Sequence, residues 1–286
     1  QGERANGRRI ACSLDRPSLV LERTDLCVLW KPPGWSVSVA DEAKRDSLDS
    51  LCNDSDAELG GSDTDELPLQ CWLQQELGHR SLIVNDSGAS HGIVHRLDRN
   101  TSGLVLCAKS YYGYSMALLL FAAQCVSKEY VLICHGHVPL DLHMIQFPLL
   151  RVGPAHAPQS AVSALGRHAS TEVLKVAHLN GAGEPGAFSL VQVRLHTGRL
   201  HQIRAHMAHL GHPLLCDSAY GGRAALGCPR VSLHAHRLRL VRLVEQLPGL
   251  EASLPLPQDL QAVAAKLDAA DVQSKALLCQ WIIDNQ

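Results

Sequence analysis

Residues 91–110 of the chain read HGIVHRLDRNTSGLVLCAKS and place one carboxylate, Asp98, between two arginines, Arg96 and Arg99. The run that follows them, GLVLCAKS (103–110), has the length and apolar composition of a buried β-strand. Because neighbouring arginines lower the pKa of an aspartate, we expect Asp98 to be ionised. On these residues alone, such a carboxylate caps a backbone, forms a structural ion pair, or acts as a nucleophile or base, and the structural roles are the plainer ones.

The rest of the chain alternates short apolar runs with turn residues, which is typical of strands. We predict strands at 18–35, where Pro-Pro-Gly ends the second of two runs, at 128–138 and at 231–243, and a hairpin from 170–179 and 188–196. Helical spacing of apolar residues predicts four helices: 65–78, 111–125, 197–212 and from about 257 onwards. Because the helices interrupt the strands irregularly, we expect an α+β fold with a mixed, mostly antiparallel sheet flanked by helices.

Charge is unevenly distributed along the chain. The formal net charge is −2, but residues 41–66 hold ten acidic and two basic residues, so the rest of the chain has a net charge of +6. The Ser/Asp/Gly-rich composition of 41–66 predicts a loosely held surface insertion. Residues 190–243 hold eight arginines and one acid, Asp217. This bias favours a polyanionic partner, and a merely solvated basic face is the alternative.

Several classes of protein are disfavoured by what the sequence lacks. It has no run of 18 apolar residues and no apolar amino-terminal signal, so we expect neither a membrane span nor secretion. The ten cysteines contain no C-x-x-C pair, which disfavours a zinc knuckle or a disulfide framework and favours buried thiols in a reducing compartment. A serine-hydrolase elbow and glycine-rich phosphate loops are also missing.

Four histidines lie in the predicted helix at 201, 206, 209 and 212. A helical metal site needs ligands four residues apart, whereas the spacings here are five, three and three, and no glutamate lies among the histidines to act as a base. A histidine-metal hydrolase is therefore a distant alternative, and histidines that face a charged ligand are the better explanation. Gly198 and Arg199 stand at the start of the predicted helix, where free N–H groups suit a phosphate.

Two long motifs carry a family resemblance. HRLDRNTSGLVLCAK (95–109) resembles the H-R-L-D-x-x-T-S-G-L signature of the RluA-type pseudouridine synthases, and LHTGRLHQIRAHMAHLGHPLLCDSAYG (195–221) is similar to a second motif of that family. VLERTDLCVLWKPPG, KEYVLICHG, SLHAHRLRL and PLPQDL match further segments in the expected order. The resemblance covers about residues 18–265 and implies the pseudouridine synthase catalytic fold with a central RNA-binding cleft.

The resemblance implies that the chain isomerises uridine in structured RNA, either rRNA or tRNA, to pseudouridine without a cofactor or a metal. In that reaction the bond from C1′ to N1 breaks, the base turns, and C5 bonds to C1′. Asp98 matches the catalytic aspartate, and Arg204 matches its expected ion-pair partner. Tyr130 matches the tyrosine that packs against the target base and is a candidate acceptor for the C5 proton.

Five further residues are expected to contact the RNA. Arg96 lies where the family places an arginine that fills the gap left by the flipped nucleotide. An apolar floor would retain the detached uracil and exclude water, and Leu233 is expected to add to it beside Tyr130. The five residues are Arg96, Arg99, Arg199, His201 and Leu233.

The chain departs from the family pattern at two positions. Cys216 stands where the family has a glycine before its aspartate, and this difference is expected to affect a turn near the site. Arg99 follows Asp98 where lysine is common, which keeps the charge.

The expected organisation is an amino-terminal extension, 1–17, followed by a catalytic domain, 18–286, whose acidic insertion at 41–66 is dispensable for folding. RNA is the expected partner, with no membrane or metal partner. We expect a monomer located inside the cell, in the cytoplasm or in an organelle such as a mitochondrion or plastid. The alternative from another class is an RNA-binding or RNA-chaperone protein that keeps the fold without turnover.

Overall fold

A computed structural model describes residues 15–37, 67–154, 157–181, 186–241 and 249–282. The predicted acidic insertion at 41–66 lies outside the described residues, as do residues 1–14 of the predicted extension. None of the helices in the described ranges is both long enough and apolar enough to cross a membrane.

The described ranges form fourteen strands, five α-helices and three short 3₁₀ helices, Leu82–Asn85, Ser87–Gly92 and Ser218–Tyr220. The strands are β1 (Ser18–Glu22), β2 (Leu26–Lys31), β3 (Trp35–Ser36), β4 (Leu67–Pro68), β5 (Ser102–Ala108), β6 (Val126–His135), β7 (Met144–Ile145), β8 (Leu149–Val152), β9 (Gln159–Val162), β10 (Thr171–Gly181), β11 (Ala187–Leu195), β12 (Leu233–Leu240), β13 (Leu250–Ser253) and β14 (Leu267–Ala269). The helices are α1 (Leu69–Leu77), α2 (Tyr111–Ala122), α3 (Gln202–His209), α4 (Gln258–Ala264) and α5 (Val272–Trp281).

Ten of these strands form one sheet in the order β1-β2-β5-β12-β6-β11-β10-β14, with β13 added to β12 and β7 added to β10. The pairs in this sheet are antiparallel except for β5 with β12. Two small sheets stand apart, β3 with β4 and β8 with β9. The predicted α+β class with a mixed, mostly antiparallel sheet is confirmed.

Alternation along β6 divides the core between the two faces of the sheet. Val131 and Ile133 belong to an apolar cluster that includes residues of α4 and α5. Leu132 and Cys134 belong to a second cluster, which includes residues of α1 and α2. Tyr130 belongs to this second cluster and points to the same face of β6 as Leu132 and Cys134.

The parallel strands β5 and β12 approach each other closely at the start of β5. Ser102 and Gly103 pair with His234 and Ala235. Gly103 has a φ of +133°, and a Cβ atom built on it would lie 2.3 Å from the carbonyl oxygen of Ala235. The glycine of Thr-Ser-Gly therefore lets the strand that follows Asp98 lie directly against β12.

Replacing this glycine is expected to destabilise the protein strongly. In Gly103→Ala the new methyl group meets backbone atoms, so we expect the free energy of unfolding to fall by about 3 kcal/mol or more. Gly211→Ala is the control, because Gly211 has a φ of +83° but no atom within 4 Å of its Cβ position. Only backbone strain of about 1–2 kcal/mol applies there. Urea unfolding measures both variants, and equal losses would show that the close approach has no effect.

Most predicted elements are present. The hairpin of β10 and β11, the strands β6 and β12, and the helices α1 and α2 lie where the apolar periodicity places them. The helix predicted at 197–212 is shorter, because His201 has a left-handed φ of 49° and the helix begins only at Gln202.

The long helix predicted from about residue 257 is wrong. That segment forms α4, the short strand β14 and then α5, whose first turn is capped by the Asp271 side chain. β14 pairs with β10, with Leu179 opposite Ala269. A strand that depends on a partner far away in the sequence leaves no signal in the local periodicity.

Candidate active site

Asp98 lies at the edge of a cleft, in the loop that leads into β5. The cleft has a volume of about 280 Å³ and is lined by residues 98–101, by 157–159 and by His201 and Arg204. The Asp98 side chain is 23% exposed, so the carboxylate is partly buried but accessible from the cleft. The volume is just below the usual range for small-molecule sites, about 300–1,000 Å³.

Arg204 joins Asp98 to a second, buried carboxylate. Its Nη1 donates to Asp98 Oδ2 over 3.3 Å, while Nε and Nη2 donate to the two oxygens of Asp217 over 2.8 Å each. The Asp217 side chain is 1% exposed, and its bidentate contact fixes the plane of the guanidinium. The structure thus brings Arg204 to Asp98, the pairing that the sequence resemblance implied.

Positive charge keeps Asp98 ionised. Burial raises the pKa of this carboxyl group, but the charges of His201, Arg204 and Arg96 outweigh burial and bring the pKa below its ordinary value. Burial lowers the pKa of Arg204, yet its hydrogen bonds with Asp217 and the nearby negative charges raise it above its ordinary value. At neutral pH the site therefore holds a carboxylate against a permanently charged guanidinium.

His201 and Tyr220 extend this network. His201 stands directly before α3, with Nε2 3.9 Å from Asp98 Oδ2 and Nδ1 3.1 Å from the Tyr220 hydroxyl. The guanidinium carbon of Arg204 lies 4.9 Å from the centre of the Tyr220 ring, a cation–π contact. The Tyr220 hydroxyl also accepts the main-chain N–H of Ser160 in β9 over 2.8 Å. Tyr220 thereby connects the β8–β9 sheet with α3.

Tyr130 lies on β6 and is 6% exposed. In the sheet it is opposite Ala235 of β12 and Val193 of β11. Burial and the charge of Asp98 raise the pKa of its phenol, so the hydroxyl is neutral at physiological pH. Leu233 of β12 is 4% exposed and belongs to the apolar cluster that contains Tyr130, so it lies in the core and not on the open surface of the cleft.

Three of the residues expected to contact RNA are near Asp98. Arg99 and His201 line the cleft, and the charge of Arg96 helps to lower the pKa of Asp98. The Arg99 side chain donates from Nε to the carbonyl oxygen of Gly34 over 3.2 Å, which directs it along the turn after β2.

Arg199 is not among the residues that line the cleft. Its Nε donates to the carbonyl oxygen of His168 over 3.0 Å, and its main-chain N–H donates to the Gln202 side-chain oxygen over 3.0 Å. The same oxygen accepts the hydroxyl of Thr197 over 2.8 Å. The helix start predicted beside Gly198 is wrong, because α3 begins at Gln202, and the Arg199 N–H is already bonded to the Gln202 side chain.

The histidines of α3 have separate partners. His206 is hydrogen-bonded through Nδ1 to the Thr171 hydroxyl over 3.0 Å and through Nε2 to the Phe147 carbonyl oxygen over 2.9 Å. His209 packs edge-on against the Phe147 ring. In the part of the chain that the structure describes, no group of three or more His, Cys, Asp or Glu side chains is arranged to hold a metal ion.

A buried lysine at the end of β2 binds the loop that leads from Asp98 into β5 (residues 98–101, the Asp98 loop). The Lys31 Nζ donates to the carbonyl oxygens of Pro32 and Trp35 over 2.9 Å each, and to that of Arg99 over 3.0 Å. The turn after β2 is thus tied to the residue that follows Asp98.

His234 contacts the other end of the loop. Its Nδ1 lies 3.1 Å from the Ser102 hydroxyl, and burial lowers the pKa of the imidazole to about 3. The same side chain in the unfolded chain binds a proton below about pH 6.5. Between about pH 6.5 and about pH 3 the unfolded state therefore binds more protons, and stability falls as the pH is lowered.

Through His234, the free energy of unfolding is expected to fall by up to about 1.4 kcal/mol for each pH unit by which the pH is lowered in that window. Urea unfolding at about pH 7 and about pH 5 measures the difference, which should shrink in His234→Asn. The control is His79→Asn at an exposed histidine, which should retain the wild-type difference. An unchanged difference in His234→Asn would contradict the assignment.

Asp217 and Tyr220 are contacts of Arg204 that the sequence prediction did not single out. Both lie in CDSAYG, the end of the second motif, so their place in that motif was an available signal. Cys216 has a φ of 59°, in the left-handed region that glycine adopts without strain. The departure from the family's glycine therefore occurs at a left-handed turn directly beside the Asp217 carboxylate.

The sequence is similar to those of several known proteins. A family model described as RNA pseudouridylate synthase matches residues 25–209, more than half of the chain. Ribosomal large subunit pseudouridine synthase D of Vibrio parahaemolyticus is 32% identical over 197 residues, which are 62% of this chain and 55% of that protein. The protein of the same name from Escherichia coli is 32% identical over 182 residues, 59% of this chain and 53% of that protein. The chain thus spans about half the length of these curated relatives.

Two solved structures share the fold. Human RNA Pseudouridylate Synthase Domain Containing 1 has a TM-score of 0.62 and 21% identity, and the alignment covers 94% of this chain and 96% of that chain. Human RNA Pseudouridylate Synthase Domain Containing 4 has a TM-score of 0.58 and 19% identity, and its alignment covers 87% of this chain and 93% of that chain. With the family match over residues 25–209, the chain belongs to the RNA pseudouridylate synthase family.

Proposed function

We propose that the chain isomerises specific uridines in structured RNA to pseudouridine, with Asp98 as the catalytic carboxylate. The observation that carries this proposal is an ionised, partly buried Asp98 that faces a cleft and is held by Arg204. The names of the relatives support rRNA as the substrate, and tRNA is the second candidate.

The proposed reaction starts when the target uridine leaves its stack, at a cost of a few kcal/mol that the basic surface offsets. Cleavage of the bond from C1′ to N1 develops positive charge on the sugar, and an adjacent carboxylate stabilises or traps such a sugar. C5 then bonds to C1′, the C5 proton leaves, and N1 ends protonated. Asp98 attacks C1′, attacks the base, or acts as a base toward the sugar, and each route needs the ionised form that the site maintains.

The other site residues have supporting roles in this proposal. Arg204 holds Asp98 and keeps it charged, and Tyr130 forms an apolar, neutral wall for the detached uracil. A neutral phenol accepts the C5 proton only if it passes its own proton on, so Tyr130 is better suited to packing than to proton removal. Leu233, which belongs to the same apolar cluster as Tyr130, is proposed to add to this wall.

RNA contact is proposed for the arginines and the histidine near the site. Arg99 and His201 line the cleft, Arg96 is near enough to Asp98 to lower its pKa, and Arg199, which does not line the cleft, would bind the RNA backbone outside it. We further propose that residues 18–286 act as one catalytic domain after an extension at 1–17, as a monomer inside the cell. The isomerisation is not a redox reaction, and the proposal includes no cofactor or metal.

The experiment that tests the function is a map of pseudouridines in total RNA from cells with and without the protein. The proposal predicts at least one uridine that is modified only in the presence of the protein and that purified protein modifies in the RNA from deficient cells. Tight RNA binding without any new pseudouridine would favour the alternative of an RNA-binding or RNA-chaperone protein.

A further inference from the structure

We propose that Arg230, braced by Asp259 of α4, is a positioning residue that fixes the Asp98 loop relative to Tyr130. The inference rests on the proposed function for its kinetic consequence, whereas its structural consequence is measurable without any activity. Arg230 lies three residues before β12, and its side chain is 7% exposed.

The Arg230 guanidinium binds the two segments that must stay together in the site. Its Nη1 donates to the carbonyl oxygen of Asn100 in the Asp98 loop over 3.1 Å, and its Nη2 donates to the Ser102 hydroxyl over 2.9 Å. On the β12 side, Nη1 also contacts the carbonyl oxygens of Val231 and Leu233, over 3.3 Å and 3.2 Å. One side chain thus connects the loop after Asp98 with the first residues of β12.

Asp259 sets the orientation of that guanidinium. Its two oxygens accept from Nε over 2.7 Å and from Nη2 over 3.3 Å, which is a bidentate ion pair. Asp259 lies in the first turn of α4, and its Oδ1 also accepts the main-chain N–H of Leu260, a residue with no exposed surface. The Asp259 carboxylate is therefore held by the backbone of a helix that packs in the apolar core.

The strand order explains why these contacts of Arg230 affect the geometry of the reacting groups. β12 lies between β5, which the Asp98 loop enters, and β6, which carries Tyr130 opposite Ala235. The Asp98 loop and Tyr130 therefore belong to the two strands that flank β12, one on each side. A shift of the loop against β12 changes the separation of Asp98 and Tyr130, whereas the contact of Arg204 with Asp217 stays intact.

Lysine does not replace arginine here. The planar guanidinium has five N–H donors in a fixed fork, whereas an ammonium group has three donors at one point. In Arg230→Lys the positive charge stays beside Asp259, but the three donors of one ammonium nitrogen cannot replace the six contacts that the guanidinium makes with Asp259, the Asp98 loop and the start of β12. The variant therefore keeps the ion pair and loosens the loop.

The test compares Arg230→Lys with Arg237→Lys, a matched change on β12 itself, where the arginine is 39% exposed and pairs with Glu251. Kinetics are measured on an RNA that the wild-type protein modifies, and amide hydrogen exchange is measured over residues 98–104. For Arg230→Lys we expect kcat to fall about 10- to 100-fold with KM within about threefold, because misplacement affects the reacting geometry more than RNA binding. We also expect faster exchange at Thr101, whose N–H donates to the Asp98 carbonyl oxygen. Arg237→Lys should match the wild type in both measurements.

A folded Arg230→Lys with wild-type kcat and wild-type exchange would overturn the inference. If Arg230→Lys does not fold, Asp259→Asn replaces it, because that variant keeps the whole guanidinium and removes only its brace. Asp259→Asn is then expected to show the same split in kcat and KM with a smaller size, and wild-type values would again overturn the inference. A wild-type protein that modifies no RNA would refute the proposed function, while the exchange measurement would still decide whether Arg230 holds the loop.

Discussion

Asp98→Asn is expected to lower the rate of pseudouridine formation by about 10³-fold or more while leaving the fold and the RNA affinity close to those of the wild type. The substitution removes the negative charge with almost no change in shape. Arg204 keeps both contacts with Asp217, so no buried guanidinium is left without a partner. The measurements are pseudouridine content in digested RNA, thermal unfolding and RNA binding.

Asp141→Asn is the control for this prediction, since Asp141 is an exposed aspartate in the loop after β6. It should keep the wild-type rate. Retained turnover in Asp98→Asn, with a folded protein, would show that the reacting carboxylate was wrongly assigned.

Arg204→Ala is expected to have the largest combined effect on stability and activity. It leaves the Asp217 carboxylate, which is 1% exposed, buried without its bidentate partner. Breaking a buried pair in this way costs about 3–5 kcal/mol, so the free energy of unfolding should fall by about that amount. Activity should be lost as well, because Asp98 loses the group that orients it and lowers its pKa.

Two further variants separate these effects. Arg237→Ala removes an arginine whose partner, Glu251, is 47% exposed, and it should cost about 1 kcal/mol or less. Arg204→Lys keeps a positive charge but cannot make the two parallel bonds to Asp217, so it should fall between the wild type and Arg204→Ala in both stability and rate. A normal rate in Arg204→Ala would show that the contact with Asp98 has no part in the reaction.

The strands and the central helices could be predicted because their signal is local. GLVLCA is an unbroken run without a charged residue, and the segments that form β10 and β11 alternate on either side of the Gly- and Pro-containing stretch NGAGEPGA. The carboxyl-terminal segment could not be predicted in this way, because β14 exists only through its pairing with β10. The start of α3 was misplaced for a different reason, since the side chain of Gln202 and the left-handed His201 determine where the helix begins.

The site could be predicted where both contacting residues belong to the two family motifs. It was less predictable where a contact joins residues that no motif pairs. Asp98 and Arg204 come from the two motifs, and the structure shows them in contact. His201 was expected only to bind RNA, yet its ring lies 3.9 Å from the Asp98 carboxylate. The hydrogen bond from Arg230 to the Asn100 carbonyl oxygen joins residues that are 130 positions apart, and nothing in the local sequence indicates it.

Release of tritium from RNA labelled at C5 of uridine tests the central claim most directly, because C5 loses its hydrogen when it bonds to C1′. RNA from cells that lack the protein is incubated with wild-type protein or with Asp98→Asn at concentrations that give equal binding. The account predicts tritium release by the wild type and none above background by Asp98→Asn. Equal release by the two proteins, or no release by a folded wild-type protein that binds the RNA, would contradict it.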